Sequence, residues 1–514
     1  MQTPQDHGLP LLTSCCPNAG QDLSRRGFMG LGGAALGGLA LGGLAWPLGR
    51  TAEAEELKAP PRTPLVVKPI FTYSIYTRQQ QTSWRSWGGC QTQEAVDQEI
   101  PRIKAELEKL QSSAEFPLKM LPLSSVRSAA EVAQLPDVKT ADAILVYAND
   151  GGDALHGVNA LGKDCIFFIR YRSGPVYLWY EIISPRFLRN HSDRLSMKGL
   201  NYDDVVVDDL DAVLWKMRAL AGLKNTRGSR IIAIGGPSGW ACEQAPQLSK
   251  DRFGLDIQTV SYDDLAKLIQ ASRKDPAAVA LAKKQTDDYL KQDGVKLETD
   301  RTFVEKAYLL TRVFRDIMTA AGARLMTINS CMGTIMPMSE TTACMPLSLL
   351  NDAGYMAFCE SDFVVVPSGI LAGNISGHPT FLNDPCYPHD GEITLAHCTA
   401  PAMMDGKNRE PVRILTHFES DYGAAPKVEM RKGMKVTNII PDFLAERWVG
   451  LGGEIIDAPF RPICRSQIDI RFKPDTLKVC ENMPGFHWMT IYGDYLKEIG
   501  YALKKTAIKW ENLG

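Results

Sequence analysis

Apolar positions along this chain keep two different rhythms, and the change between them divides it. Up to about residue 380, short apolar runs alternate with segments whose apolar residues fall three and four apart. Pro64–Val67, Ala143–Tyr147, Cys165–Arg170, Val176–Ile183, Arg230–Ile234, Leu255–Val260, Arg324–Asn329 and Tyr355–Cys359 read as buried strands. Glu94–Leu110, Asp208–Leu223, Tyr262–Lys274 and Arg301–Ala320 read as helices, and Pro101 threatens the first with a break or kink. Strands alternating with helices predict parallel βαβ units. Beyond about Asp405 the runs shorten, often alternate residue by residue, and are separated by glycine turns. Val412–Glu419, Lys427–Lys432, Lys435–Ile440, Trp448–Asp457 and Cys464–Phe472 predict an antiparallel barrel or sandwich, closed by a helix over Tyr492–Lys505. The expected fold class is α/β: two Rossmann-like parallel-sheet domains, over 64–170 and 171–376, then a C-terminal antiparallel β domain with a terminal helix over 377–514. A proline-rich linker, 55–63, precedes them.

The N-terminus departs from both rhythms. Ser24-Arg25-Arg26-Gly27-Phe28-Met29 precedes an uncharged, glycine- and alanine-rich run from Gly30 to Trp46, and Ala52-Glu53-Ala54 follows. Paired arginines, a mild apolar stretch and a small-x-small cleavage pattern form a twin-arginine export signal. The expectation is a signal over 1–54 and a periplasmic or secreted protein that folds before it leaves the cytoplasm. The apolar run is too short and too weakly hydrophobic to span a bilayer. No later segment is apolar enough, so no stable membrane span is expected after cleavage.

Composition narrows the partners. At 45% hydrophobic and 23% charged, the chain has the make-up of an ordinary soluble protein. A formal net charge of −2 offers no basic excess for phosphates, so nucleic acid is not an expected partner. Of twelve cysteines, Cys15 and Cys16 lie in the signal; the others show no Cys-x-x-Cys pair and no zinc spacing. Thiols rather than a disulfide framework are expected of a protein folded in a reducing compartment.

Two acidic motifs carry the candidate chemistry. Cys359-Glu360-Ser361-Asp362 and Thr380-Phe381-Leu382-Asn383-Asp384 each follow an apolar run, with room for a crossover helix between them. If their strands are parallel neighbours, about 4.8 Å apart, Glu360 and Asp384 both stand at the carboxyl edge where open α/β sheets bind ligands. Such a pair can share a divalent ion, and oxygen donors favour Mn²⁺ or Mg²⁺ over zinc. The plainer alternative is that Glu360 caps a helix and Asp384 opens a turn before Pro385. Histidines that could complete the site are His156, His191, His378, His389, His397, His417 and His487. The Gly235-Gly236-Pro237-Ser238-Gly239 turn lacks nucleotide-binding spacing and a P-loop lysine, and reads as a tight turn facing substrate. Neither His-Glu-x-x-His nor Gly-x-Ser-x-Gly is present.

These motifs resemble the L-fucose isomerase and L-arabinose isomerase superfamily. The resemblance rests on Ser348–Gly354, Cys359–Asp362, Phe381–Asp384, Leu395-Ala396-His397-Cys398-Thr399-Ala400-Pro401, and His487 followed by Gly493-Asp494. It covers the second half well and the first half loosely. It implies that Glu360, Asp384 and His487 hold Mn²⁺ (or Mg²⁺), and that Glu360 and Asp384 also serve as the acid/base pair. It implies aldose–ketose isomerisation of a small-molecule sugar through an ene-diol, in a homo-oligomer, a hexamer or trimer. Arg78, Trp84 and Trp87 suit sugar binding, across to a neighbouring subunit, although buried packing is the simpler role for the tryptophans. The alternatives are an exported sugar-binding protein on the same scaffold without turnover, and a metal-dependent lyase or epimerase.

Overall fold

The computed structural model describes residues 57–150, 152–177 and 200–514. The expected signal over 1–54, His191 and most of the Val176–Ile183 candidate strand lie outside the described residues. Among the described residues, no helix is long and apolar enough to cross a membrane, and no disulfide joins the cysteines.

The first sheet is wholly parallel. It is built from β1 (Leu65–Thr72), β2 (Leu118–Met120), β3 (Ser124–Val126), β4 (Ala143–Ala148), β5 (Asp164–Ile169) and β6 (Val205–Val207), in the order β2-β1-β4-β5-β6 with β3 also on β1. Every residue of β4 is buried, as expected of a strand covered on both faces. Because β6 joins this sheet, the first unit runs past residue 170, where the sequence reading ended it. The helix Gln93–Ser113 is unbroken: Pro101 lies on its exposed side, while Val96, Ile103, Leu107 and Leu110 anchor the other.

The second sheet is also parallel. Of β7 (Arg230–Ile234), β8 (Asp256–Val260), β9 (Val295–Leu297), β10 (Leu325–Ile328) and β11 (Met356–Phe358), four form it in the order β11-β10-β7-β8. β9 leaves to pair elsewhere.

The last third is a closed barrel. β12 (Phe381–Pro385), β13 (Glu392–His397), β16 (Lys435–Pro441), β17 (Arg447–Asp457), β18 (Ser466–Arg471) and β19 (Trp488–Tyr492) run antiparallel in the order β16-β19-β12-β13-β18-β17, and β17 returns to β16. β14 (Val412–Leu415) and β15 (Ala425–Val428) form a small separate sheet with β9, and β20 (Lys509–Asn512) adds in parallel to β17. A polar ladder fixes part of the barrel: Asn383 Nδ2 donates to Thr490 Oγ1, which donates to Asn438 Oδ1, all three residues being fully buried. The expected terminal helix is shorter, Leu496–Lys504, because Trp488–Tyr492 is strand and Gly493 turns the chain at φ +101°.

One expectation is overturned here. The connection after β11 contains the expected helix, Val366–Ser376, but it does not return the chain to a parallel neighbour. β12 pairs antiparallel with β13 and β19 inside the barrel. Glu360 and Asp384 therefore do not sit on adjacent strands of one sheet. Val366–Ile375 of this helix are all buried, on every side, so it serves as a core spacer between sheet and barrel rather than a one-faced crossover.

That helix meets Leu210–Thr226 where Gly222 faces Ile375. A Cβ on Gly222 would stand 2.9 Å from Ile375 backbone atoms and 2.2 Å from its Cγ1. Gly222→Ala gains about 1 kcal/mol of helix propensity, but the two helices must separate, which costs about 1–3 kcal/mol. The expected outcome is net destabilisation in denaturant unfolding; a stabilised variant would refute the close contact.

A second prediction concerns Asp352, at the end of the helix Cys344–Asp352. Burial pushes its carboxyl up to about 6, against hydrogen bonds from Ala402 and Met403 N–H and the nearby Arg409. The folded state therefore holds this proton where the unfolded chain releases it. Stability contributed here is present below about pH 4 and lost as pH rises to about 6, by at most about 3 kcal/mol. Unfolding free energies of wild type should fall relative to Asp352→Asn across that window; parallel curves would refute it.

Candidate active site

The candidate site begins with an unusual piece of backbone. Directly after β11 and Cys359, Glu360 and Ser361 have φ +67° and +48°. Two consecutive left-handed residues without a glycine are uncommon, and such conformations persist only where their surroundings impose them. Here the glycine turn after β7 imposes them. Ser238 N–H donates to Ser361 C=O at 3.0 Å, Phe363 N–H to Ser238 C=O at 2.9 Å, and Ser361 Oγ to Gly236 C=O at 2.9 Å. Ser238 and Asp362 form a parallel bridge. The Gly235–Gly239 turn is thus the buttress of the acidic motif.

His487 arrives from the barrel. Asn383 pairs with Trp488 between β12 and β19, so one step along that register Asp384 lies opposite His487. The imidazole is clamped on both nitrogens. Nδ1 lies 2.7 Å from Asp362 Oδ2; Nε2 lies 3.1 Å from Glu360 Oε2 and 3.2 Å from Asp384 Oδ1. Aromatic rings close around it, with Trp240 edge-on at 5.0 Å and Phe486 at 4.4 Å between centroids. His397, at the end of β13, brings Nε2 to 3.4 Å from Glu360 Oε1, while Thr399 Oγ1 lies 2.9 Å from its Nδ1.

The cluster is buried on all sides but one. Glu360, Asp362, His397 and His487 are nearly inaccessible, whereas the Asp384 side chain keeps 28% exposure. Burial would raise the Glu360 carboxyl, but the His397 and His487 imidazoles outweigh it and hold it down to about 2. Burial opposes charge on His397 too, yet Glu360 and Asp384 raise it to about 9, and His487 is driven well above its usual range by Asp362, Asp384 and Glu360. The site draws in positive charge. Asp384 Oδ2 is buried and accepts no hydrogen bond, and Glu360 Oε2, also buried, meets only His487 Nε2, outside good hydrogen-bond geometry. Orphaned carboxylate oxygens beside an imidazole held from behind by Asp362 suit a divalent cation, because ligating histidines characteristically have such a rear carboxylate.

Glu360, Asp384 and His487 are therefore brought together, though from two different sheets. Arg78, Trp84 and Trp87 stand on the loop after β1 of the first sheet. Arg78 and Trp87 are exposed; Trp84 is half-buried, with the Arg85 guanidinium 4.9 Å from its ring centroid. Sequence reasoning missed the parts played by Asp362, His397, Thr399 and Trp240. Asp362 and His397 stand inside motifs already singled out, so the signal was present. Trp240 carried no signal beyond its place after the glycine turn.

Over 254 residues the chain is 25% identical to a sulfoquinovose isomerase of Clostridium sp. (strain MSTE9), covering 48% of this chain and 50% of that protein. The chain thus matches about half the length of that relative. No family model matches it.

Proposed function

We propose that this protein is a metal-dependent aldose–ketose isomerase acting on a sugar. The observation that carries the reading is the convergence of Glu360 and Asp384 on His487 Nε2, at 3.1 and 3.2 Å, with Asp384 as the side open to solvent. The relative's activity as a sulfoquinovose isomerase supports sugar isomerisation in general. Moving a proton between C1 and C2 through an ene-diol needs a group that takes it, a group that returns it, and stabilisation of charge on the two oxygens. Glu360, Asp384 and His487 would hold a Mn²⁺ or Mg²⁺ ion, which when bound polarises the sugar's carbonyl and hydroxyl oxygens. The two carboxylates form the acid/base pair. Each has an oxygen free of hydrogen bonds that can accept a proton. Trp240 and Phe486 shield the imidazole from water on the inner side, and Asp362 fixes which nitrogen faces the site. In a homo-oligomer, the loop bearing Arg78, Trp84 and Trp87 would be free to reach a neighbouring subunit's sugar. Export through the twin-arginine route belongs to the same proposal, since copper and zinc compete strongly with Mn²⁺ for such ligands.

The test is ketose formation from a panel of aldoses, sulfoquinovose included, by protein reconstituted with Mn²⁺. Glu360→Gln and Asp384→Asn should each lower kcat by about 10²-fold or more and reduce bound Mn²⁺ in the folded protein. Full Mn²⁺ content in both variants would overturn the assignment, and sugar binding without conversion by wild type would favour a binding protein instead.

Asp362→Asn probes the support of His487. It keeps an acceptor for Val364 N–H but removes the charge behind Nδ1. Mn²⁺ affinity should fall about 10–100-fold in protein shown by circular dichroism to remain folded. Unchanged affinity by calorimetric titration would show that the clamp does not tune the ligand.

A further inference from the structure

Glu360 has two carboxylate oxygens, and they face two different imidazoles. Oε2 lies 3.1 Å from His487 Nε2, and Oε1 lies 3.4 Å from His397 Nε2. The two histidines are mounted alike. Each presents Nε2 to Glu360 and has its Nδ1 taken from behind, by Asp362 at 2.7 Å for His487 and by Thr399 Oγ1 at 2.9 Å for His397. On the His397 side stands a donor that the proposed isomerase chemistry does not use. Cys359, Glu360 and His397 each offer a ligand atom, and the three atoms lie within 4.8 Å of one another. All three residues are more than nine-tenths buried, at 7%, 8% and 3% exposure.

We propose that Cys359, Glu360 and His397 form a second metal position, for a zinc-class ion, joined to the Asp384/His487 position through Glu360. The donor set decides the ion. Sulfur, imidazole nitrogen and one carboxylate oxygen make the three-ligand set that zinc and its congeners favour, with a fourth position left for water or substrate. The Asp384/His487 side has no sulfur donor and favours a harder ion. For His397 Nε2 to ligate, its proton must reside on Nδ1, where Thr399 Oγ1 accepts it; this is the support a ligating histidine needs. The left-handed backbone at Glu360, imposed by the glycine turn after β7, also suits a carboxylate that spans two cations, each bound to one oxygen. An ordinary extended residue following β11 would point its side chain to one face of the sheet, whereas φ +67° turns it into the space between β13 and the His487 segment. Binding releases the thiol proton to solvent as the cysteine becomes a thiolate, and no electron is transferred.

The inference shares Glu360 with the proposed isomerase site but stands on different donors, so the two can fail separately. The experiment titrates Co²⁺, as a spectroscopic stand-in for zinc, into full-length protein stripped of metal by a chelator. Wild type should develop the near-ultraviolet thiolate-to-cobalt absorption with the intense visible bands of a four-coordinate ion. Asp384→Asn should keep that absorption while binding one ion fewer. Cys359→Ser should lose it and keep the other ion. Thr399→Val, which leaves every ligand in place, should keep the absorption with cobalt affinity about 10–100-fold weaker. Absence of the thiolate absorption in wild type, its persistence in Cys359→Ser, or its loss in Asp384→Asn would each overturn the second position. Thiolate absorption in a protein without isomerase activity would overturn only the functional reading above.

Discussion

The arrangement turns on the double clamp of His487. Asp362 and Asp384 come from opposite sides of a seam, one behind a parallel sheet and the other in a closed barrel, and the imidazole is the piece that both grip. Buried carboxylates at this density are tolerable only when positive charge sits among them, because an isolated buried ion costs several kcal/mol. Two imidazoles can supply it as protons, and a divalent ion can supply it more compactly. The clamp is thus an electrostatic requirement as well as a mechanical one.

The surrounding structure serves that requirement at two distances. Close by, the glycine turn after β7 pins Glu360 and Ser361 in a conformation they would not choose alone. Further off, the Asn383–Thr490–Asn438 ladder holds β12 and β19 in register, which is why Asp384 and His487 face each other. A slip of one residue would turn Asp384 to the other face of the barrel wall. The polar interior of this barrel therefore bears on the site through alignment.

Much of this was legible in the residues, and the failures share a cause. The helix over Tyr262–Lys274 and the strand over Arg230–Ile234 match the reading residue for residue, since both have strong local patterns and clear flanks. The acidic motifs were legible because each follows an apolar run, whereas His487 was singled out among seven histidines only by the family resemblance. What local pattern does not encode is which sheet a strand joins. Phe381–Leu382 looks the same whether its neighbours are β11 or β19, and its pairing with β19, over a hundred residues away, is not written in the local pattern. The strand Trp488–Tyr492 is not among the expected elements, and its last residue, Tyr492, is where the terminal helix was expected to start, for a similar reason. Its apolar residues suit either period, and barrel pairing settles the question. The helix Pro276–Leu290 went unread because Asp275 ends one helix and caps the next, leaving no loop to mark the join.

The clamp also fixes when the site can exist. Asp362 and His487 are 125 positions apart in the chain, and β19, the strand whose pairing sets Asp384 opposite His487, follows His487 directly. A nascent chain that has not yet reached β19 lacks the pairing that sets His487 opposite Asp384, so it cannot assemble the cluster. Any preference of this cluster for one cation over another would therefore be a property of the finished fold, set wherever the barrel closes.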